Sequence, residues 1–291
     1  MRTEQEMLDL ILETARSDER IRAVLLNGSR ANPNAPRDFF QDFDIVYLVS
    51  DPQPFIRNLE WIGRFGARMI LQLPDDMPEP PPAGPLTRYA YLMQFLDGNR
   101  LDLTIFPAAS LSELESDSQT LLLLDKDGLF PALPPPGDAD YLPHPPSAKA
   151  FEDCCNEFWW CAPYVAKGLW RRELPYAKAM LERHLREQLM EMLGWHVGLR
   201  HSFLRSPGKM GKYLEQLLEP ELWELLLETW ADADDEHTWQ ALFAMCDLFR
   251  RAALPLAEHF GFTYPLEDDA RVEAHLHHVH DLPRDAAGMY P

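Results

Sequence analysis

Asp42 and Asp44 stand on either side of a phenylalanine at the head of an apolar run, Asp42-Phe43-Asp44-Ile45-Val46-Tyr47-Leu48-Val49. Residues two apart in a strand point to the same side, so an extended 42–49 makes the two carboxylates near neighbours on one face. Such a pair at the mouth of a buried strand is unfavourable unless a cation lies between its members. Divalent metal meets that need, and Mg²⁺ brings phosphate with it. Asp102 is a third acid of this kind. In residues 100–106 it shares a face with Arg100 and Thr104, while Leu101, Leu103 and Ile105 take the other. Alone, an aspartate in a strand reads as a solvated edge residue. Beside Asp42 and Asp44 it completes three carboxylates on one sheet face, which fits a metal site.

Other residues suit phosphate or a cationic partner. Asn27-Gly28-Ser29-Arg30 follows the short apolar run 21–26. Glycine permits a tight turn and close backbone approach, and Ser29 offers a hydroxyl and an N–H, so this turn can hold a phosphate as well as simply reverse the chain. Further along, Ser206-Pro207-Gly208-Lys209-Met210-Gly211-Lys212-Tyr213 places Lys209 and Lys212 three apart at a glycine-rich helix start. That spacing suits phosphate binding or a solvated pair; GxxxxGK[ST] is absent, so this is no P-loop. Trp159 and Trp160 read first as core residues and second as rings facing a sugar or cation. Lys167 and Lys178 lie about three helical turns apart, but Pro175 breaks the phase between them. The histidines of His275-Leu276-His277-His278-Val279-His280 have no matching acid or cysteine set and read as a surface helix end.

The elements that must position these residues fall into two groups. Helical spacing over 3–16, with Thr3 and Glu6 as a capping box, precedes strands at 21–26 and 42–49. Residues 54–65 read as a helix and the proline-rich 74–85 as a surface loop. Asp97-Gly98-Asn99 between 88–96 and 100–106 is a hairpin signal, and 121–130 adds another apolar segment. Proline-rich 131–148 reads as a boundary. Beyond it, 151–166, 174–199, 211–218, 220–230 and 237–260 all have helical periodicity. The expected architecture is α+β: a mixed sheet with flanking helices in 1–135, and an all-α bundle in 136–291 that completes the substrate cleft.

At 291 residues the chain has room for two cores, and eight tryptophans mark it as globular. The net charge of −20 argues against nucleic acid as a partner, since a polyanion needs lysine and arginine to neutralise it. A negative cleft attracts cations instead. No charged and apolar leader opens the sequence and no apolar run is long enough to span a bilayer, so a cytoplasmic protein with no membrane contact is expected. The four cysteines form no CxxC pairs and read as buried thiols.

Gly28-Ser29, the Asp42-Phe43-Asp44 pair and Asp102 together look like the nucleotidyltransferase signature. The wording NGSRAN, DFFQDFDIVYLV, LDLTIFP, FWWCAPYVAKGLWRREL and GKMGKYL resembles the streptomycin-modifying aminoglycoside 6-adenylyltransferases over nearly the whole chain. Departures lie in the proline-rich insert at 74–85 and in the histidine-rich tail. The resemblance implies transfer of AMP from ATP to an aminoglycoside hydroxyl, with two Mg²⁺ ions about 4 Å apart stabilising the attacking and leaving oxygens. It implies that Asp42 and Asp44 bind the metal, and that Asp102 is a ligand, a general base or both. Gly28, Ser29 and Arg30, with Lys209 and Lys212, would meet the nucleotide phosphates. Trp159, Trp160, Lys167 and Lys178 are the candidates for the acceptor. The alternatives are nucleotidyl transfer to another small cationic metabolite, and a catalytically idle nucleotide-binding relative. The oligomeric state is left open.

Overall fold

The first helix begins where its capping residues put it. Thr3 Oγ1 accepts from the Glu6 N–H and the Glu6 carboxylate accepts from the Thr3 N–H, opening α1 (Glu4–Ser17). Each bond satisfies an N–H that the first turn of a helix leaves without an internal partner. Met7, Ile11, Thr14 and Ala15 recur at helical spacing and form its buried face. In the computed structural model, which describes residues 1–80, 84 and 86–290, the chain divides into two units, Met1–Asp140 and Tyr141–Pro291. Pro81, Pro82, Ala83 and Pro85 of the expected 74–85 loop lie outside the described residues.

The first unit is built on a six-stranded sheet: β1 (Ile21–Asn27), β2 (Phe43–Val49), β3 (Arg68–Gln72), β4 (Tyr89–Phe95), β5 (Arg100–Pro107) and β6 (Leu121–Asp125). Their spatial order is β3-β4-β5-β2-β1-β6. β2 and β5 run parallel and the other pairs antiparallel, so the sheet is mixed. β2 is a central strand, as its apolar run predicts, and every residue from Ile45 to Val49 is buried. Phe43, Ile45, Tyr47, Leu101, Leu103 and Ile105 share the large core with α1. Val46 and Leu48, on the opposite face, join a smaller cluster with Ala23, Leu25 and Phe106. Asp44 belongs by alternation to that second face. The acids therefore stand at the end of the face with less apolar cover.

Residues 54–65 are not the continuous helix expected from periodicity. They form turns and a short 3₁₀ segment, Trp61–Phe65, because tertiary bonds hold the backbone elsewhere. The Asn58 N–H donates to the Tyr91 hydroxyl, which itself donates to the Phe55 carbonyl, and Arg57 is left-handed with φ 57°. Periodicity reports buried positions, and Phe55, Trp61, Ile62 and Phe65 are buried without an α-helix to carry them. β3 is a strand not identified from the sequence: its Met69-Ile70-Leu71 run is short, and its side chains are exposed or half-buried with no regular alternation.

The second unit contains α2 (Ala148–Trp170), α3 (Leu174–Ala179), α4 (Arg186–Arg200), α5 (Leu214–Leu217), α6 (Pro220–Glu228), α7 (Asp235–Phe260) and α8 (Leu266–Asp281), with no strand among its described residues. The expected helix at 174–199 is one path interrupted by a π-helical stretch, Met180–Leu185. At the α2–α3 corner a Cβ on Gly168 would lie 3.0 Å from the Ala177 Cβ, which is why the helices meet there only with glycine. All four cysteines are free and buried, and burial pushes the Cys155 and Cys161 thiols up to about 12. The tail histidines belong to α8, where they make packing and polar contacts: His277 stacks on Phe243 at 4.3 Å and His280 Nε2 lies 3.0 Å from Glu236. No helix among the described residues is long and apolar enough to cross a membrane.

The hairpin that delivers β5 is tied at its tip. Arg2 Nε lies 2.6 Å from Asp97 Oδ2, and the Arg2 backbone N–H reaches the same oxygen. The arginine holds the Asp97 carboxyl well below the usual carboxylate range. A depressed folded pKa gives stability that is present above the unfolded value and lost as pH falls below about 4. Asp97→Asn is expected to lower stability by about 1 kcal/mol at pH 7, with the deficit shrinking as pH falls below about 4. Urea unfolding across that range checks it, and a deficit independent of pH would contradict the assignment.

Candidate active site

The parallel register of β2 and β5 sets Asp44 directly beside Asp102, with Phe43 beside Leu101 one step earlier. Asp42 lies one residue ahead of β2, where alternation returns it to the side of Asp44. Each of the three half-buried acids offers a carboxylate oxygen, and these oxygens lie within 4.8 Å of one another. It is the only such group of potential metal ligands among the described residues. An all-oxygen, all-carboxylate set suits a hard divalent cation and not the thiolate and imidazole sites of zinc. The set could bind a metal.

The turn after β1 is fitted to this cluster. Gly28 has φ 71°, and a Cβ there would lie 2.4 Å from Asp44 Oδ2. Glycine is needed on both counts: L side chains resist that φ, and the added carbon would occupy the space of the carboxylate. Gly28–Arg30 then forms a single 3₁₀ turn closed by the Ala31 N–H to the Gly28 carbonyl at 3.0 Å. Gln41 Nε2 donates to the Ser29 carbonyl at 3.1 Å, so the residue preceding Asp42 also holds the turn. Asn32 is buried, and it and Asn34 both donate to the Asp138 carboxylate, anchoring the far end of the loop.

Arg30 has a different place from the one expected at the phosphates. Its side chain is buried: Nε donates to the Asp42 carbonyl at 3.0 Å, Nη2 donates to the Gln41 carbonyl, and Nη1 pairs with Glu4 at 3.0 Å. Its guanidinium also stacks 3.9 Å above the Phe43 ring. These contacts fix the backbone that carries Asp42. Spacing alone could not show this, because the partners are main-chain carbonyls eleven and twelve residues on and an acid of α1. Arg100, unlike Arg30, is given no role by the motifs. Nε and Nη2 pair with both oxygens of Asp102 at 2.8 and 2.6 Å, and Nε lies 3.4 Å from Asp42 Oδ2. These acids, Asp102 foremost, hold the guanidinium above the usual arginine value.

The streptomycin adenylyltransferase family model matches residues 1–279. The aminoglycoside 6-adenylyltransferase of Bacillus subtilis (strain 168) is 39% identical over 272 residues, covering 92% of this chain and 95% of the relative. That of Campylobacter jejuni is also 39% identical, with 92% and 93% covered. The chain belongs to the streptomycin adenylyltransferase family. A crystal structure of an aminoglycoside 6-adenyltransferase from Bacillus subtilis aligns over 97% of this chain and 100% of its own, at 34% identity and a TM-score of 0.47.

In this family member the second unit separates the remaining candidates by exposure. Trp159 is 3% exposed; its indole N–H donates to the Tyr264 hydroxyl at 3.2 Å, and its ring packs edge-on against Phe158 and Phe249. It packs in the core and also contributes to the lining of a cavity it shares with Trp160. Trp160 is 64% exposed and lines a cavity of about 980 Å³ with Glu152, Asp153, Asn156 and Asp268. Adjacent helical positions are about 100° apart, which sends one indole inward and the other out. Lys167 Nζ lies 4.6 Å over the Tyr164 ring, and Lys178 Nζ donates to the Ala231 carbonyl at 2.9 Å, so Lys178 braces the link between α6 and α7 from α3. Lys209 and Lys212 are exposed, but Lys209 opens a 3₁₀ turn, Lys209–Gly211, and Lys212 caps its end, so neither starts a long helix. Met210 between them is left-handed, and Gly208 is required where a Cβ would meet the Tyr213 ring at 2.6 Å.

Gly28→Ala tests the fit between turn and cluster. The added carbon must displace Asp44, so Mn²⁺ affinity measured by calorimetry is expected to fall at least about tenfold, a loss of about 1.4 kcal/mol. Unchanged affinity would show that the turn and Asp44 are independent.

Proposed function

We propose that the protein transfers AMP from ATP to a hydroxyl of a streptomycin-type aminoglycoside, at the 6-position, releasing pyrophosphate and so conferring resistance. The observation that carries this reading is the convergence of Asp42, Asp44 and Asp102 across the β2–β5 register, in a chain of this family. In the reaction an acceptor oxygen bonds to the α-phosphorus of ATP as the bond from that phosphorus to the bridging oxygen of pyrophosphate breaks. Held by the three carboxylates, Mg²⁺ would supply the positive charge that the attacking and leaving oxygens require.

The protein's own groups divide the remaining work. Asp102, at the end of its strand face, takes the acceptor proton if it lies within hydrogen-bond reach of the hydroxyl. The Gly28 turn brings main-chain N–H groups and the Ser29 hydroxyl to the outer phosphates, which the short 3₁₀ turn suits. Arg30, paired with Glu4, holds the main chain that carries Asp42. In the second unit, exposed Lys209 and Lys212 are suited to phosphate oxygens. Trp160 offers an open aromatic face to a guanidinium or sugar, in a cavity whose lining includes Glu152, Asp153 and Asp268, the last paired with Arg271. The charge of −20 favours the approach of a polycationic drug and disfavours a polynucleotide. ATP is supplied in the cytoplasm, where the enzyme would act.

Purified protein with Mg-ATP and streptomycin should release pyrophosphate, and silence with a full aminoglycoside panel would sink the proposal. Asp42→Asn and Asp44→Asn are each expected to lower kcat by roughly 10²-fold or more while leaving the fold intact, because amides are poor metal ligands. Near-normal turnover in either variant would refute the assignment. Asp102→Asn should be as severe; if the residue is the base, the acid limb of the pH–rate profile disappears with it.

A further inference from the structure

We infer that Arg100 is a resident counter-cation of the acid triad, which a divalent ion must displace from Asp102 before the site is loaded. The inference rests on the metal reading of the triad given above. Arg100 is the first residue of β5, two positions before Asp102 and therefore on the same strand face. One register step before the Phe43–Leu101 pair, it stands opposite Asp42. Its planar fork takes one hydrogen bond to each oxygen of Asp102, at 2.8 and 2.6 Å, and leans toward Asp42 at 3.4 Å. A metal ligated by this triad needs an oxygen from each of the same acids.

Charge makes the two occupants antagonists. Three carboxylates within 4.8 Å repel one another, and the guanidinium relieves that repulsion when no metal is bound. Once a divalent cation enters, the same guanidinium becomes a like charge at close range. Arg100 can withdraw, because its side chain is 44% exposed and its long stem reaches solvent without uncovering the core. Carboxylates have further lone pairs, however, so an arginine can also support a ligand from behind. The competing and the supporting roles predict opposite signs for the change in metal affinity.

The experiment uses the full chain without nucleotide, titrated with Mn²⁺ alone and followed by electron paramagnetic resonance and calorimetry. Arg100→Gln is expected to bind Mn²⁺ about three- to tenfold more tightly than wild type, since a half-exposed charged hydrogen-bond pair no longer competes. Arg100→Lys, which keeps the charge and loses the fork, should fall between them and guards against a folding failure of the glutamine variant. Without metal, Arg100→Gln should melt on the order of 2–4 °C lower than wild type, and added Mn²⁺ should raise its Tm by more. Unchanged or weaker Mn²⁺ binding in Arg100→Gln, with wild type binding and Asp44→Asn not, overturns the inference and leaves the metal reading intact. Absence of Mn²⁺ binding by wild type overturns both.

Discussion

Three like charges held within 4.8 Å of one another are the constraint around which the first unit is arranged. Left to themselves the carboxylates would separate, and two features prevent it. One is covalent and topological: Asp42 and Asp44 are bound by strand alternation, and Asp102 is bound to Asp44 by the parallel β2–β5 register. A slip of one residue in that register would turn Asp102 to the opposite face. The other is electrostatic. Arg100 bridges two of the acids, and Arg30 holds the main chain leading into the first of them.

The same arrangement explains why a strand so apolar carries acids at its head. From Ile45 onward both faces of β2 are covered, one by the α1 core and the other by the small cluster with Ala23, Leu25 and Phe106. That cluster does not reach the start of the strand. Carboxylates there keep contact with solvent and with arginine, so their desolvation is partial. Gly28 completes the design by bringing backbone where any side chain would collide with Asp44. A rigid scaffold thus ends in a polar edge whose geometry is set by main chain more than by side-chain choice.

Much of this was legible in residue order because it depends on local periodicity. The alternation of Asp42 and Asp44, the shared face of Arg100 and Asp102, the hairpin at Asp97-Gly98-Asn99 and the capping box of α1 are all relations within a few residues. What escaped depends on partners distant in sequence. Residues 54–65 have helical spacing, yet the Tyr91 hydroxyl and the left-handed Arg57 draw them into turns. Arg30 looked available to phosphate because its carbonyl partners and Glu4 could not be seen from the motif. The choice between Trp159 and Trp160 required the phase of α2 relative to its neighbours, and only packing against Phe249 and Tyr264 supplies it.

The arginines of the first unit also bear on what the acidic surface means. Arg2 pairs with Asp97, Arg22 with Asp127, Arg30 with Glu4, Arg57 with Asp76 and Arg100 with Asp102. The first four tie together segments distant in sequence, so much of a limited positive charge is engaged in pairing with the chain's own acids. A groove that tracks a polyanion needs the reverse, cations directed outward in register with phosphates. A small polycation asks only for carboxylates and aromatic faces that water does not fully screen. The low lysine and arginine content and the pairing of these arginines with the chain's own acids both fit the proposed cationic acceptor better than a polyanion.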